Sequence, residues 1–220
     1  MKNSLQADFH MIISKMNGGS RMQYLKEEVK KRIIVAALDE FKEKGYVSAS
    51  IRNIASNADI ALGTVYKYFK NKEDLFNSIV EPVYDDLFTN INKIIFADVN
   101  PDEKLLEIKN RILDIFKGNS KELLILFGKS KGSKYESLKN DIVDILYKIL
   151  QKEVFFRFED KNVVKDPFIF SVLSTTFIEG IYTILKTQED GDKISVLIDQ
   201  LMFLTFHDIE SRFKEMSHMN

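Results

Sequence analysis

Apolar residues recur along this chain at steps of three and four. Between residues 24 and 44, Leu25, Val29, Ile33, Ala36, Ala37 and Phe41 share one face of a 3.6-residue period, which predicts an amphipathic helix. Gly45 follows Lys42 and Lys44 and is placed to end it. A shorter run after Ser48 and Ser50, both candidate N-caps, sets Ile51, Ile54 and Ala55 on one side. Asp59, Ile60 and Ala61 make a turn, and residues 62–68 supply two more helical turns before Lys70 and Asn71 interrupt the pattern. Two short helices joined by a three-residue turn are a helix-turn-helix.

Residues 72–97 continue the helical pattern except at Pro82, whose ring and missing N–H predict a kink or break in the preceding turn. Beyond them the helical pattern is punctuated at Pro101, near Gly118, near Gly132, at Asp166–Pro167 and at Gly191. There is no sustained two-residue alternation and no internal repeat. The expectation is an all-α chain of about nine helices and no sheet.

Composition narrows this picture. At 220 residues, 45% hydrophobic and 30% charged, the chain is long and apolar enough for a substantial core. It has no cysteine, which excludes disulfides, zinc–thiolate sites and thiol nucleophiles and makes the cytoplasm the default location. A net charge of -1 argues against a nucleic-acid partner until it is resolved along the chain. Residues 1–76 carry 13 Lys/Arg against 9 Asp/Glu, or +4, and the remainder 19 against 24, or -5. Between residues 44 and 72, Lys44, Arg52, Lys67, Lys70 and Lys72 meet only Asp59, a local patch able to bind phosphate. The apolar cluster at residues 9–16, interrupted by His10 and Lys15, is too short and polar for a membrane span or signal peptide, and Gly18, Gly19 and Ser20 read as a flexible joint. The predicted organisation is an extension at 1–21, a DNA-binding unit at 22–76 and a helical unit at 77–220.

The run Ser50-Ile51-Arg52-Asn53-Ile54-Ala55, followed by Gly63-Thr64-Val65-Tyr66-Lys67-Tyr68-Phe69-Lys70-Asn71-Lys72-Glu73-Asp74-Leu75, resembles the TetR family of bacterial transcriptional regulators. The resemblance covers residues 29–76, and its most specific part is the Thr, the Tyr, the aromatic pair and the Lys-Glu-x-Leu that opens the next helix. One departure is Asp59, where the family's turn usually carries Gly; Asp tolerates left-handed backbone angles better than most residues.

A recognition helix enters the major groove N-terminus first, so its early residues must be small or able to touch base edges. Ala61, Gly63 and Thr64 meet the first need, Thr64 can also donate to phosphate, and Lys67 can reach a guanine edge or a phosphate. The resemblance implies that Tyr66 packs against the core while touching the DNA backbone, that Tyr68 donates its hydroxyl to phosphate, and that Lys72 clamps phosphate. It also implies that Ser50 and Arg52 hold the other side of the groove. For Tyr66, Tyr68 and Phe69 the alternative is an aromatic core stripe, which suits Phe69 best. For Lys70 and Lys72 it is a solvated face.

Residues 77–220 hold 13 of the 17 Phe, more apolar surface than a monomer needs. Two long apolar runs, 167–186 and 194–209, match the final helices through which the family forms twofold dimers, with recognition helices roughly 34 Å apart. By the same resemblance Tyr84, Phe88, Phe116, Phe127 and Phe177 line a small-molecule effector cavity, although aromatics at helical spacing equally make plain core. Glu179, set in an apolar stretch, either orients a polar effector or is a charge on an outer face. Pro82 is placed to pass a shift in the bundle to the DNA-binding unit.

Other chemistry lacks its residues. Gly128-Lys129-Ser130 ends like a phosphate-binding loop, but Leu123 stands where that loop requires Gly, so the segment to Lys134 reads as a polar turn. His10, His207 and His218 have no metal-ligand spacing, and acidic pairs such as Asp85–Asp86 suit helix starts and exposed turns. The expected protein is a cytoplasmic, homodimeric repressor that binds an inverted-repeat operator in double-stranded DNA and a small apolar or amphipathic effector, with no metal, cofactor or membrane role and no enzymatic site. The competing class is a helical ligand-binding or interaction protein without DNA binding.

Overall fold

The structure, a computed structural model, describes residues 18–95 and 101–218, and these form helices joined by turns and loops, with no strand among them. The apolar cluster at 9–16 lies outside the described residues. The joint expected at Gly18–Ser20 is instead the first turn of a helix. In chain order the α-helices are α1 (Gly18–Ser48), α2 (Ile51–Asn57), α3 (Leu62–Tyr68), α4 (Lys72–Ile95), α5 (Pro101–Gly118), α6 (Ser120–Gly128), α7 (Leu138–Glu153), α8 (Ile169–Thr187), α9 (Gly191–Phe206) and α10 (Ile209–Ser217). Two 3₁₀ turns, Phe155–Arg157 and Lys161–Val163, connect α7 to α8. The described residues thus hold about the number of helices expected, with Asp208 at φ 52° between α9 and α10.

The apolar stripes determine the packing. Ile33, Ala37 and Phe41 of α1, Ile54 of α2, Val65 of α3 and Leu75 and Phe76 of α4 are buried together as a three-helix head closed by the first turns of α4. That core runs without interruption into the body, where Leu123, Ile125 and Leu126 of α6 share one buried cluster with Ile178 and Ile181 of α8 and Ile194 and Ile198 of α9. A second cluster at Leu150, Phe158, Phe170 and Phe213 ties the 3₁₀ turns and α10 to the ends of α7 and α8. The expected boundary at residue 76 therefore falls inside α4, which packs on α1 as well as on α5 and α6. By length and apolar composition alone α8 could cross a membrane, but its Phe170, Phe177, Ile178, Ile181 and Leu185 are buried in this body.

Of the kink or break expected at Pro82, the break is not found: α4 runs through it. Its ring and Ser78, whose carbonyl loses its helical partner, both lie on the exposed side, so water can satisfy the freed oxygen while Val80 and Val83 stay buried.

Candidate nucleic-acid interface

The two helices of the head are held at their ends by specific local contacts. Gly45 interrupts α1 one turn before Ser48 with φ 74°, the left-handed conformation that glycine adopts without a Cβ penalty. Ser50 then caps α2, its Oγ accepting from the Asn53 N–H at 3.5 Å. Asp59 takes φ 53° in the turn, as its side chain permits, and α3 starts from Ala61 in an extended conformation. Asn71 opens α4, its side-chain oxygen accepting from the Asp74 N–H at 2.8 Å while the Asp74 carboxylate accepts from the Lys70 N–H at 2.8 Å.

With Val65 and Phe69 turned into the core, α3 presents its other side to solvent. Ala61, Gly63, Tyr66 and Lys67 are exposed, Tyr66 by 52%, and Thr64 and Tyr68 are half-buried beside them. Arg52 is exposed and Ser50 half-buried at the start of α2. A Cβ on Gly63 would meet nothing within 4 Å, so no contact inside the chain requires glycine there. The candidate residues on α2 and α3 thus lie on exposed or half-exposed positions around one short helix.

Lys72 is the exception. Its ammonium donates to the carbonyls of Val47 at 2.9 Å and Ala49 at 3.4 Å and sits 4.9 Å from the centre of the Tyr46 ring. In the free protein it clamps the main chain between α1 and α2, satisfying carbonyls that the end of α1 leaves open. Lys72→Met is therefore expected to lower unfolding free energy by about 1–3 kcal/mol in a urea titration; a loss within error would show that the clamp is idle.

Sequence reasoning missed two further groups. Glu40 is 5% exposed, and its Oε1 accepts from the Ser50 N–H at 3.0 Å and the Asn53 side-chain amide at 3.2 Å, so a buried carboxylate on α1 orients the start of α2. The legible signal was an acid beside Phe41 on the apolar face of α1. Secondly, residues 22–32 of α1 include no buried position, and Lys26, Lys30, Lys31 and Arg32 are exposed there with no ion pair among the described residues. The C-terminal half of α1 instead faces the body, through Asp39–Lys121 at 3.0 Å and Lys42–Glu189 at 2.6 Å. The Lys42 ammonium holds the Glu189 carboxyl below its ordinary range.

The five aromatic effector candidates fall into separate contacts. Tyr84 and Phe88 on α4 stack at 4.5 Å, Phe116 and Phe127 meet edge to face at 6.3 Å, and Phe177 meets Phe206 at 4.8 Å. Phe116, Phe127 and Phe177 are buried, and Tyr84 and Phe88 half-buried. Glu179 does not join them: it lies on the outside of α8 and pairs with Lys139 at 2.6 Å, so the reading of an inward carboxylate is replaced by that of an outer-face charge. An aromatic row joins head to body, with Phe76 against Phe41 at 4.9 Å, Tyr46 at 4.7 Å and Tyr135 at 6.2 Å, and Tyr135 against Tyr84 at 5.1 Å. Burial raises the Tyr46 phenol above its usual range, with the nearby Glu73 charge adding to the effect.

A helix-turn-helix with one exposed face on α3, carried on a helical body, is the class of fold that the described residues define. Residues 33–79 match the sequence profile of the bacterial regulatory proteins of the tetR family. The chain is 43% identical over 68 residues to the uncharacterized HTH-type transcriptional regulator YuxN of Bacillus subtilis, which covers 31% of this chain and 23% of that protein. It is 31% identical over 88 residues to the fatty acid metabolism regulator protein of the same bacterium, covering 40% of this chain and 45% of the relative. The matched regions thus span less than half the length of these relatives. A TetR-family transcriptional regulator from Bordetella parapertussis has the same fold, with a TM-score of 0.59 at 16% identity over 81% of this chain and 94% of that one. Over residues 33–79 the chain is similar to the TetR family, and its described residues share that family's fold.

Proposed function

We propose that this chain is a sequence-specific transcriptional regulator that binds an inverted-repeat operator in double-stranded DNA as a homodimer, represses, and is released by a small apolar or amphipathic effector. The observation that carries the reading is the exposed face of α3: Gly63 with open space around it, flanked by Thr64, Tyr66 and Lys67. A helical carrier or interaction protein has no use for a small, solvent-facing helix set between the left-handed Asp59 turn and the Asn71 cap of α4. In this reading Ala61, Gly63 and Thr64 let the backbone approach the groove, Lys67 reads a base edge or phosphate, Tyr66 and Tyr68 touch the DNA backbone, and Ser50 and Arg52 hold its far side. Selection from random duplexes followed by footprinting tests it; a protein that enriches no sequence, or a footprint without an inverted repeat, overturns it.

The dimer is assigned to α8 and α9. Val172, Val196, Phe203 and Leu204 are exposed there, Leu204 by 72%, a surface that association would bury. The effector is proposed to bind in the body beside Tyr84, Phe88, Phe116, Phe127 or Phe177, whose apolar rings suit it, and native mass spectrometry would report both the dimer and a retained ligand. The protein acts in the cytoplasm, where its operator lies.

The exposed cations of α1 extend the proposed footprint. Replacing Lys26 and Lys30 together by Gln should leave sequence preference intact and make the fall of log K with log salt shallower by about 0.9 for each phosphate that is no longer neutralised. An unchanged slope would remove α1 from the interface.

A further inference from the structure

The turn between α6 and α7 is the piece of sequence that the proposed activity leaves unused, and it makes an unusual contact. Of the main-chain hydrogen bonds outside helices among the described residues, one joins distant parts of the chain: the Tyr46 N–H donates to the Lys129 carbonyl at 2.8 Å. Tyr46 is the first residue after the left-handed Gly45, so its N–H is free of α1, and Lys129 caps α6. A Cβ at Gly45 would stand 3.3 Å from the same carbonyl. Gly132, at φ 83°, lies so close to the head that a Cβ there would be 2.7 Å from Val47 Cγ2.

The segment 45–50 is therefore held from two sides. The body grips it through Lys129 and Gly132, and the head grips it through Lys72 on the Val47 and Ala49 carbonyls and Glu40 on the Ser50 N–H. Since Ser50 caps α2, a displacement of the turn is passed to the first helix of the helix-turn-helix. The turn is itself firm: buried Ser130 donates to the Leu126 carbonyl at 2.9 Å or the Tyr135 carbonyl at 3.1 Å, and Lys134 pairs with Glu81 of α4.

On its far side the turn rests on α8. The Tyr182 ring covers Gly128 so closely that a Cβ there would overlap the phenol, and Lys139 lies 5.1 Å from the centre of the same ring. Packed elements of this kind shift between discrete arrangements because their atoms cannot interpenetrate.

We propose that the turn from Gly128 to Gly132 is a positioning element for the DNA-binding head, set by the Tyr182 ring and acting through the Lys129–Tyr46 hydrogen bond, in addition to any movement of α4. It rests on the DNA-binding reading. A displaced Tyr182 ring, whether through substitution or through a molecule bound against α8, shifts the Lys129 carbonyl and with it the N-terminus of α2. Tyr182, Gly128 and Tyr46 are then residues that tune operator affinity without touching DNA.

The experiment uses the full chain and a duplex that the native protein has selected from random sequence. Gly128→Ala is expected to lower affinity for that duplex about tenfold or more, while Gly118→Ala, whose Cβ would enter open space, leaves it unchanged. In the Tyr182→Ala background, Gly128→Ala should cost less than about threefold, because the overlap has gone. Equal losses in both backgrounds, or a folded dimeric Gly128→Ala protein that binds like the native one, would overturn the proposal. A measurement independent of DNA accompanies it: amide exchange at Tyr46 should quicken about tenfold in Tyr182→Ala, and unchanged protection would overturn the proposal even if Gly128→Ala fails to fold. Failure of the native protein to select any duplex would sink the DNA-binding reading instead, with the Tyr46 exchange still reporting on the turn.

Discussion

Gly63→Leu is expected to lower affinity for operator DNA about a hundredfold, equivalent to about 2.7 kcal/mol, without destabilising the fold. Gly63 is exposed in the first turn of α3, and a Cβ built on it meets no atom of the chain within 4 Å. Glycine in a helix costs up to about 1 kcal/mol relative to a good helix former. Leucine should therefore hold or raise the melting temperature. The only cost arises when another surface must come within contact distance of the α3 backbone, as a major groove does. Thermal unfolding and fluorescence anisotropy on the selected duplex read the two effects separately. Retained affinity with a raised melting temperature would place the DNA elsewhere on the head; a lowered one would mean that α3 packs with this position turned inward.

Phe76→Ala is expected to cost about 3–5 kcal/mol of unfolding free energy. Such a loss is a large share of the roughly 5–15 kcal/mol that holds a typical domain together. Phe76 is fully buried where α4 passes from head to body, with its ring against Phe41, Tyr46 and Tyr135. Its removal opens a void bounded by both units, which cannot collapse without moving one relative to the other. Urea unfolding should show a lower midpoint, with operator affinity falling at concentrations where the protein is still folded. A loss below about 1 kcal/mol would mean that the surrounding rings refill the space.

Sequence and structure agree where the determining physics is local. The α1 stripe from Ile33 to Phe41, the left-handed Gly45, the Ser50 cap and the left-handed Asp59 are each fixed by neighbours within a turn or two and are found as expected, whereas Leu25, at the start of the stripe, is exposed. The exposed positions of Ala61, Gly63, Tyr66 and Lys67 follow from the same stripe, because Val65 and Phe69 must turn inward. Two local details differ from the apolar pattern: α4 runs unbroken through Pro82, where Pro82 and Ser78 are both exposed, and α9 stops at Phe206 although the pattern continues to Ile209.

Long-range contacts were not legible. Periodicity places Lys72 at the start of a helix but is silent on whether its four-carbon stem points to solvent or back across the chain to Val47 and Ala49. It places Glu179 in an apolar stretch without showing that Lys139 of α7 draws it to the outer face. Neither the Tyr182 ring over Gly128 nor the Tyr46–Lys129 hydrogen bond leaves a mark on spacing or composition. The sequence alone determined the helices, their caps and the recognition face, since these depend on residues three or four positions apart. Only the tertiary structure decided which charges stay free, which fold back on the chain, and how the body grips the head, because those contacts join residues that chain order leaves far apart.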